Sequence, residues 1–321
     1  MNQEKILSLL NNTNIDTAVE HLFKNDLVAF PTETVYGLGA LAHDAHAIEK
    51  IYHAKGRPSH NPLIIHVVDK AMAQHYALFN EVAHILADAF FPAALTLVLP
   101  AKREHSASAV RAGGDTVALR CPNHPVAQAL LRKASCGIAA PSANRSGKIS
   151  PTHAQHVREE FSHLPDNYLY ILDGGATTLG IESTVVECLD EGVRILRQGS
   201  ITEAALKKHV TVIAPSVTQK DALLCPGLLS SHYAPNATVR LNATSCYEGE
   251  GLIAFGTHVP SCKVTINLSE KGDVEEAAAH LYHALRTIDK SVKHIAVMPI
   301  PNEGVGVAIN DRLRRAAYQN C

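Results

Sequence analysis

Residues with chemical potential concentrate in a few short runs. Lys55-Gly56-Arg57-Pro58-Ser59-His60-Asn61-Pro62 sets two cations around a glycine and closes on an Asn-Pro pair. Cations near a helix C-terminus already satisfy the helix dipole, which is the structural alternative. A guanidinium, an ammonium and an amide fixed on one rigid loop also suit an oligophosphate. In Thr116-Val117-Ala118-Leu119-Arg120, strand alternation sends Val117 and Leu119 one way and Thr116 and Arg120 the other. An arginine on such a face requires an anion, either a structural carboxylate or a substrate. His66 shares a strand face with Ile64, and a single histidine so placed is more often a packed core residue than a functional one. Ala140-Pro141-Ser142-Ala143-Asn144-Arg145-Ser146-Gly147 leaves a strand for a small-residue loop where Ser142 and Asn144 offer hydroxyl and amide groups. The plainer alternative there is a turn before a helix with Pro151 in its first turn. Glu182-Ser183-Thr184 and Arg197 fall at strand ends, where α/β proteins place ligands.

Other chemistries lack their signatures. Gly37-Leu38-Gly39-Ala40-Leu41-Ala42 matches a dinucleotide fingerprint formally, but Pro31 to Tyr36 separate it from its strand and no acidic residue ends a second strand about 20 positions on. There is no GxxxxGK[ST] phosphate loop, no Gly-x-Ser-x-Gly and no recognisable triad order. Histidines pair at His43/His46, His153/His156 and His280/His283, a spacing that can clasp zinc on a helix. Their scatter, without cysteine or carboxylate partners, favours solvated helix faces.

The elements that must carry these residues alternate between strand-length apolar runs and helical patterns, an α/β arrangement. Asp16 is expected to cap a helix to about Lys24, and Asp44 a helix over 45–55 ended by Gly56. Further helices are expected near 71–78, 80–91, 124–134, 152–161 and 202–209. Strands are expected at 27–30, 63–68, 96–99, 117–120, 138–140, 168–172, 183–188 and 194–196. The last three are separated by little more than glycine-containing turns, so a mixed sheet is expected. From Thr211 to Pro235 no periodicity survives, which reads as an ordered linker. Beyond it, 252–255, 274–288 and 294–298 read strand, helix, strand, and a basic helix over 310–318 closes a second, smaller α/β domain.

A length of 321 residues with 46% hydrophobic and 19% charged content supports about two cored domains. Twenty-nine Lys+Arg against 31 Asp+Glu leave no global field for coating nucleic acid, though a local basic pocket remains compatible. Seven scattered cysteines without a CxxC pair argue against a disulfide framework or a zinc ribbon and fit a reducing cytoplasm. No signal-peptide pattern opens the chain, and no apolar run is long enough to span a membrane.

Several runs together resemble the YrdC-like family: Pro31-Thr32-Glu33-Thr34-Val35-Tyr36-Gly37-Leu38-Gly39, Lys55-Gly56-Arg57-Pro58 with Asn61-Pro62-Leu63, Pro141 to Gly147, and Gly180-Ile181-Glu182-Ser183-Thr184-Val185. His232-Tyr233-Ala234-Pro235 and Ala308-Ile309-Asn310-Asp311-Arg312-Leu313 are similar to its long, two-domain form. The resemblance implies a twisted mixed-sheet catalytic domain (1–210) with a positively charged concave face. A linker (211–236) folding over the site and a small Rossmann-like α/β domain (237–321) would follow.

The resemblance also implies L-threonylcarbamoyladenylate synthase activity: L-threonine, bicarbonate and ATP, with Mg²⁺, form threonylcarbamoyl-AMP and pyrophosphate. This adenylyl transfer is the first step toward N6-threonylcarbamoyladenosine at position 37 of ANN-decoding tRNAs. By motif position, Thr34, His66, Arg120 and Ser183 would hold threonine, which reverses the core reading of His66. Arg57, Asn61, Thr116, Ser142, Asn144, Ser150, Arg197 and Tyr233 would hold ATP. Lys55 would face the phosphates, Lys55 and Arg57 being the catalytic cations, and no protein metal ligand is identified. A cytoplasmic enzyme that passes its product to the tRNA threonylcarbamoyl-transfer machinery is expected, and weak RNA binding is compatible with it. The alternatives are a non-catalytic RNA-binding or ribosome or tRNA assembly factor, and a carbamoyltransferase working through carbamoyl-AMP.

Overall fold

The computed structural model of the chain describes residues 14–165, 167–214 and 232–318. Asn14 caps α1 (Ile15–Phe23) by accepting from the Thr17 amide at 3.0 Å. Asp16, the expected cap, sits instead in the first turn, where its charge suits the dipole. In α2 (Ala45–Lys55) the expected limits hold: Asp44 accepts from the Ala47 amide at 2.8 Å, and Gly56 closes the helix at φ 58°.

One ten-stranded sheet organises the first domain. Its strands are β1 (Leu27–Phe30), β2 (Gly37–Leu41), β3 (Ile64–His66), β4 (Leu95–Pro100), β5 (Thr116–Arg120), β6 (Ile138–Ala139), β7 (Leu169–Ile171), β8 (Thr184–Leu189), β9 (Gly192–Arg197) and β10 (Val212–Ile213). They lie in the order β10-β9-β8-β4-β5-β3-β6-β2-β1-β7. Parallel pairs (β3 with β5, β4 with β8) alternate with antiparallel ones (β4 with β5, β8 with β9), so the sheet is mixed, as the short turns require. The helices α3 (Lys70–Tyr76), α4 (Glu81–Phe90), α5 (Pro125–Ala134), α6 (Ala154–Glu160) and α7 (Glu203–Leu206) also belong to this domain.

Two corrections concern strands. The Gly37-Leu38-Gly39 run is itself β2, antiparallel to β1 with Gly39 opposite Val28. A Cβ at Gly39 would stand 2.8 Å from both Ile138 Cγ2 and Phe30 Cε1, so this glycine serves packing. The expected linker begins later than 211, because Val212 and Ile213 pair in parallel with β9 as an edge strand. Most of the remaining linker lies outside the described residues.

Alternation along β5 divides the layers. Val117 and Leu119 join the main core with Ile48 and Ile51 of α2 and Leu86 of α4. Ala118 faces the other way, into a small cluster with Ile64, Val98, Val185 and Leu196. On that second face α1 and α5 cover the β1 side through Leu22, Leu130, Val28 and Phe30, and the site forms beside the small cluster.

The second domain carries β11 (Thr238–Arg240), β12 (Glu250–Ala254), β13 (Thr265–Asn267) and β14 (His294–Val297) in a parallel sheet of order β11-β14-β12-β13. Its helices are α8 (Val274–Ile288) and α9 (Gly306–Ala317). The core of this domain extends across the boundary: Val35, Ile149 and Ile181 pack with Leu281, Tyr282 and Ile309. Gly180 lies at that seam with φ 70°, and a Cβ there would meet Ala278 O at 2.5 Å and Ala279 Cα at 2.6 Å, both backbone of α8. We expect Gly180→Ala to lower unfolding free energy by about 2–4 kcal/mol, from positive φ and overpacking together. A urea titration checks this, and unchanged stability would show that the seam is not packed this way in solution.

Cysteine usage also departs from expectation at one place. Cys246 and Cys262 form a disulfide within the second domain, while Cys121, Cys136 and Cys188 are free thiols. Among the described residues no helix is long and apolar enough to cross a membrane.

Candidate active site

Register brings the site together. His66 at the end of β3 lies beside Arg120 at the end of β5, and Arg120 lies opposite Thr96 on β4. Val185 on β8 faces Arg197, the last residue of β9, so Ser183 and Arg197 extend the same row. Ser183 Oγ is 2.8 Å from Thr96 Oγ1, and Arg197 donates to Ser183 O at 3.1 Å and to Ser183 Oγ at 3.2 Å.

Above this row, the loop after β1 folds on its own hydroxyl. Thr32 Oγ1 donates to Val35 O at 2.7 Å and accepts from the Thr34 and Val35 amides at 3.2 Å, which presents Thr34 inward. Arg120 Nη1 donates to Thr34 Oγ1 at 2.8 Å. Arg120 Nη2 also lies 2.8 Å from Glu33 Oε1, close enough to balance charge although its angle is poor for a hydrogen bond. The structural carboxylate this arginine requires is therefore Glu33, a residue to which the motif reading gave no role.

One pocket is walled by Thr34, His66, Arg120 and Ser183, and also by Arg57, Ser142, Arg197 and Tyr233. Lys55, Asn61, Asn144 and Ser150 are not on this wall; they hold it from behind. Lys55, at the end of α2, donates to the carbonyls of Ser142 and Asn144, so its ammonium braces that loop rather than facing the pocket. Burial, reinforced by the neighbouring Arg57 cation, holds its pKa well below the usual lysine range. Arg57 donates to Asn61 O at 3.2 Å and Pro62 O at 3.0 Å, fixing the loop that carries it. Asn144 spans its own loop by donating to Arg145 O and Lys148 O at 2.8 Å. Thr116 keeps the Arg120 face but stands at the far end of β5 opposite Pro100, off the pocket wall.

Two titratable wall residues, His232 and Glu182, come from outside the assigned set. His232 precedes Tyr233 on the wall, and burial brings its pKa down to about 3. Glu182 is the other, and its carboxylate is committed: Ser150 Oγ donates to Oε1 at 2.6 Å, while Tyr282 Oη and Arg312 Nε donate to Oε2 at 2.8 and 3.0 Å. Burial works against this charge, but the Arg312 and Arg197 cations and the Ser150 hydroxyl bring the Glu182 pKa down to about 2. The second domain thus reaches the site through Tyr282 and Arg312. His66 is likewise neutral near pH 7, its pKa lowered to about 3 by burial and by Arg120.

Several buried polar atoms here have no hydrogen-bond partner within the protein: Arg120 Nε and Nη2, His66 Nδ1, Asn61 Oδ1 and Asn144 Oδ1. Such atoms are rare in folded proteins, and their concentration around one pocket marks a polar ligand site.

Comparison with known proteins identifies the family. Residues 20–199 match the Sua5_yciO_yrdC family model, described as "Telomere recombination". Residues 201–318 match the model described as "Threonylcarbamoyl-AMP synthase, C-terminal domain". The chain belongs to the Sua5/YciO/YrdC family of enzymes, in its two-domain form. Among its relatives, the threonylcarbamoyl-AMP synthase of Bacillus subtilis is 40% identical over 96% of this chain and 94% of its own. That of Pyrococcus abyssi is 39% identical over 94% of each. A solved structure of P. abyssi Sua5 complexed with L-threonine superposes with a TM-score of 0.84, at 36% identity over 94% of both chains.

Proposed function

We propose that this chain condenses L-threonine and bicarbonate with ATP to give threonylcarbamoyl-AMP and pyrophosphate, the donor for threonylcarbamoylation of adenosine 37 in ANN-decoding tRNAs. The observation that carries this reading is the set of unpartnered buried atoms on Arg120 and His66 beside Thr34 and Ser183, with Arg57 and Arg197 on the same wall. The threonine-bound relative supports the amino-acid end. Arg120, whose Nη2 faces Glu33, retains Nε for the threonine carboxylate.

The threonine amine takes up bicarbonate with loss of water, and the resulting carbamate oxygen bonds to the α-phosphorus as the bond to pyrophosphate breaks. The nucleophile is anionic, so no covalent enzyme intermediate is required. The chain positions the reactants and offsets charge through Arg57 and Arg197. Mg²⁺ enters as part of the nucleotide substrate: Glu182, the carboxylate on the pocket wall, is held by Arg312, Tyr282 and Ser150, and Mg²⁺ favours phosphate oxygens and water.

Mass analysis after incubation with MgATP, threonine and bicarbonate should show threonylcarbamoyl-AMP. Pyrophosphate release indifferent to threonine would overturn the reading. For Arg57→Ala we expect product formation to fall by about 10²–10³-fold, the scale for losing one preorganised charge, while calorimetry shows threonine affinity largely kept. Equal loss of threonine affinity would reassign Arg57 to the amino-acid end.

A further inference from the structure

Three histidines from the two domains converge. His153 stands at the N-cap of α6, His156 one turn later, and His283 on α8 of the second domain. Sequence spacing favoured solvated faces, yet His156 is buried and the potential ligand atoms of the three all lie within 4.8 Å of one another. The ring centroids are separated by 4.9, 4.9 and 5.4 Å. His283 Nδ1 lies 3.4 Å from His156 Nε2, longer than an ordinary hydrogen bond. Nitrogens about 2.05 Å from a tetrahedral zinc are about 3.4 Å apart, so this separation is the edge of such a site.

We propose that His153, His156 and His283 bind one divalent transition-metal ion, zinc being the best match, that ties the second domain to the first. Three imidazoles from α6 and α8 supply borderline nitrogen ligands, and exposed His283 leaves a fourth position to water. His153 Nδ1 is 3.2 Å from Thr152 Oγ1, an outer partner that fixes the ring with Nε2 as its ligand. Metal on His156 Nε2 shifts that ring's proton to Nδ1 and releases the 3.2 Å bond from the Thr152 amide, one neutral bond exchanged for three to metal. Burial holds His153 and His156 below the ordinary histidine pKa, in the neutral form that ligates. The nearby Arg286 cation is balanced by Glu160 at 3.0 Å, and Lys290 by Glu159 at 2.8 Å.

The test uses the tag-free full chain, stripped with a chelator and titrated with Zn²⁺ and Co²⁺. One equivalent should bind, Co²⁺ should give the intense visible absorption of a tetrahedral site, and Zn²⁺ should raise the melting temperature. His283→Ala, at an exposed position, should weaken binding by more than about 100-fold and abolish the thermal shift, since losing outer partners alone costs 10–100-fold. His258→Ala, at an exposed histidine of the second domain, should leave both unchanged. Absence of stoichiometric uptake, or wild-type affinity in His283→Ala, overturns the proposal.

Discussion

Arg312→Met should lower the unfolding free energy by about 3–5 kcal/mol, because it takes from the buried Glu182 carboxylate the cation in direct contact with it. Arg312 is 1% exposed, and its Nε lies 3.0 Å from Glu182 Oε2. Removing one partner of a buried pair is far more damaging than replacing both, since the remaining charge keeps its desolvation penalty. The effect should reach the chemistry, because Glu182 holds Ser150 at 2.6 Å and directly precedes Ser183, which Arg197 grips. We therefore expect synthesis to fall at least tenfold at temperatures where the variant remains folded. Combining Arg312→Met with Glu182→Gln should recover most of the stability, because a neutral amide can still serve Ser150 and Tyr282, but less of the activity. Urea titrations of both variants beside a product assay decide this. Wild-type stability in the single variant would mean that Arg312 is dispensable to Glu182.

This coupling shows where sequence reading stops. The limits of α2 were legible because Asp44 and Gly56 act on neighbouring backbone, and strand alternation sorted Val117 and Leu119 from Arg120 for the same local reason. β2 was not legible, since glycines weaken a strand pattern and the need for Gly39 comes from Phe30 and Ile138 elsewhere in the sheet. Three-residue strands such as β11 and β13 are too short to display a period. In the site, residues within contiguous motifs could be found. The partners of Glu182 could not, for Tyr282 is 100 and Arg312 130 positions downstream and only domain packing brings them in. The histidine triad hides for the same reason, with His156 and His283 separated by 127 positions. Lys55 shows the converse: its place on the helix sends the side-chain nitrogen of a motif cation to two loop carbonyls, which the motif alone does not reveal.

Acid should unfold the protein through its buried histidines before the Glu182 carboxylate is protonated. His66, His156 and His232 have folded pKa values of about 3, and His124 of about 4, each depressed first by burial. The ordinary value is 6.5, so between these limits the unfolded chain binds more protons than the folded one. Their stabilising contribution is thus complete above about pH 6.5 and is lost as pH falls toward the folded values. Each histidine contributes a slope of up to about 1.4 kcal/mol per pH unit, so four give roughly 5 kcal/mol per unit near pH 5. Against a total stability on the order of 5–15 kcal/mol, this places the acid midpoint near pH 4–5. Glu182 acts in a lower window, its contribution being lost only between about 4.5 and 2. Urea titrations from pH 8 to 4, with chelator present so that His156 is metal-free, should show a plateau above about pH 7 and then an uptake of three to four protons on unfolding. His232→Gln should reduce that uptake by about one proton. Stability that stays level down to pH 4.5 would mean that these rings already accept protons in the folded state.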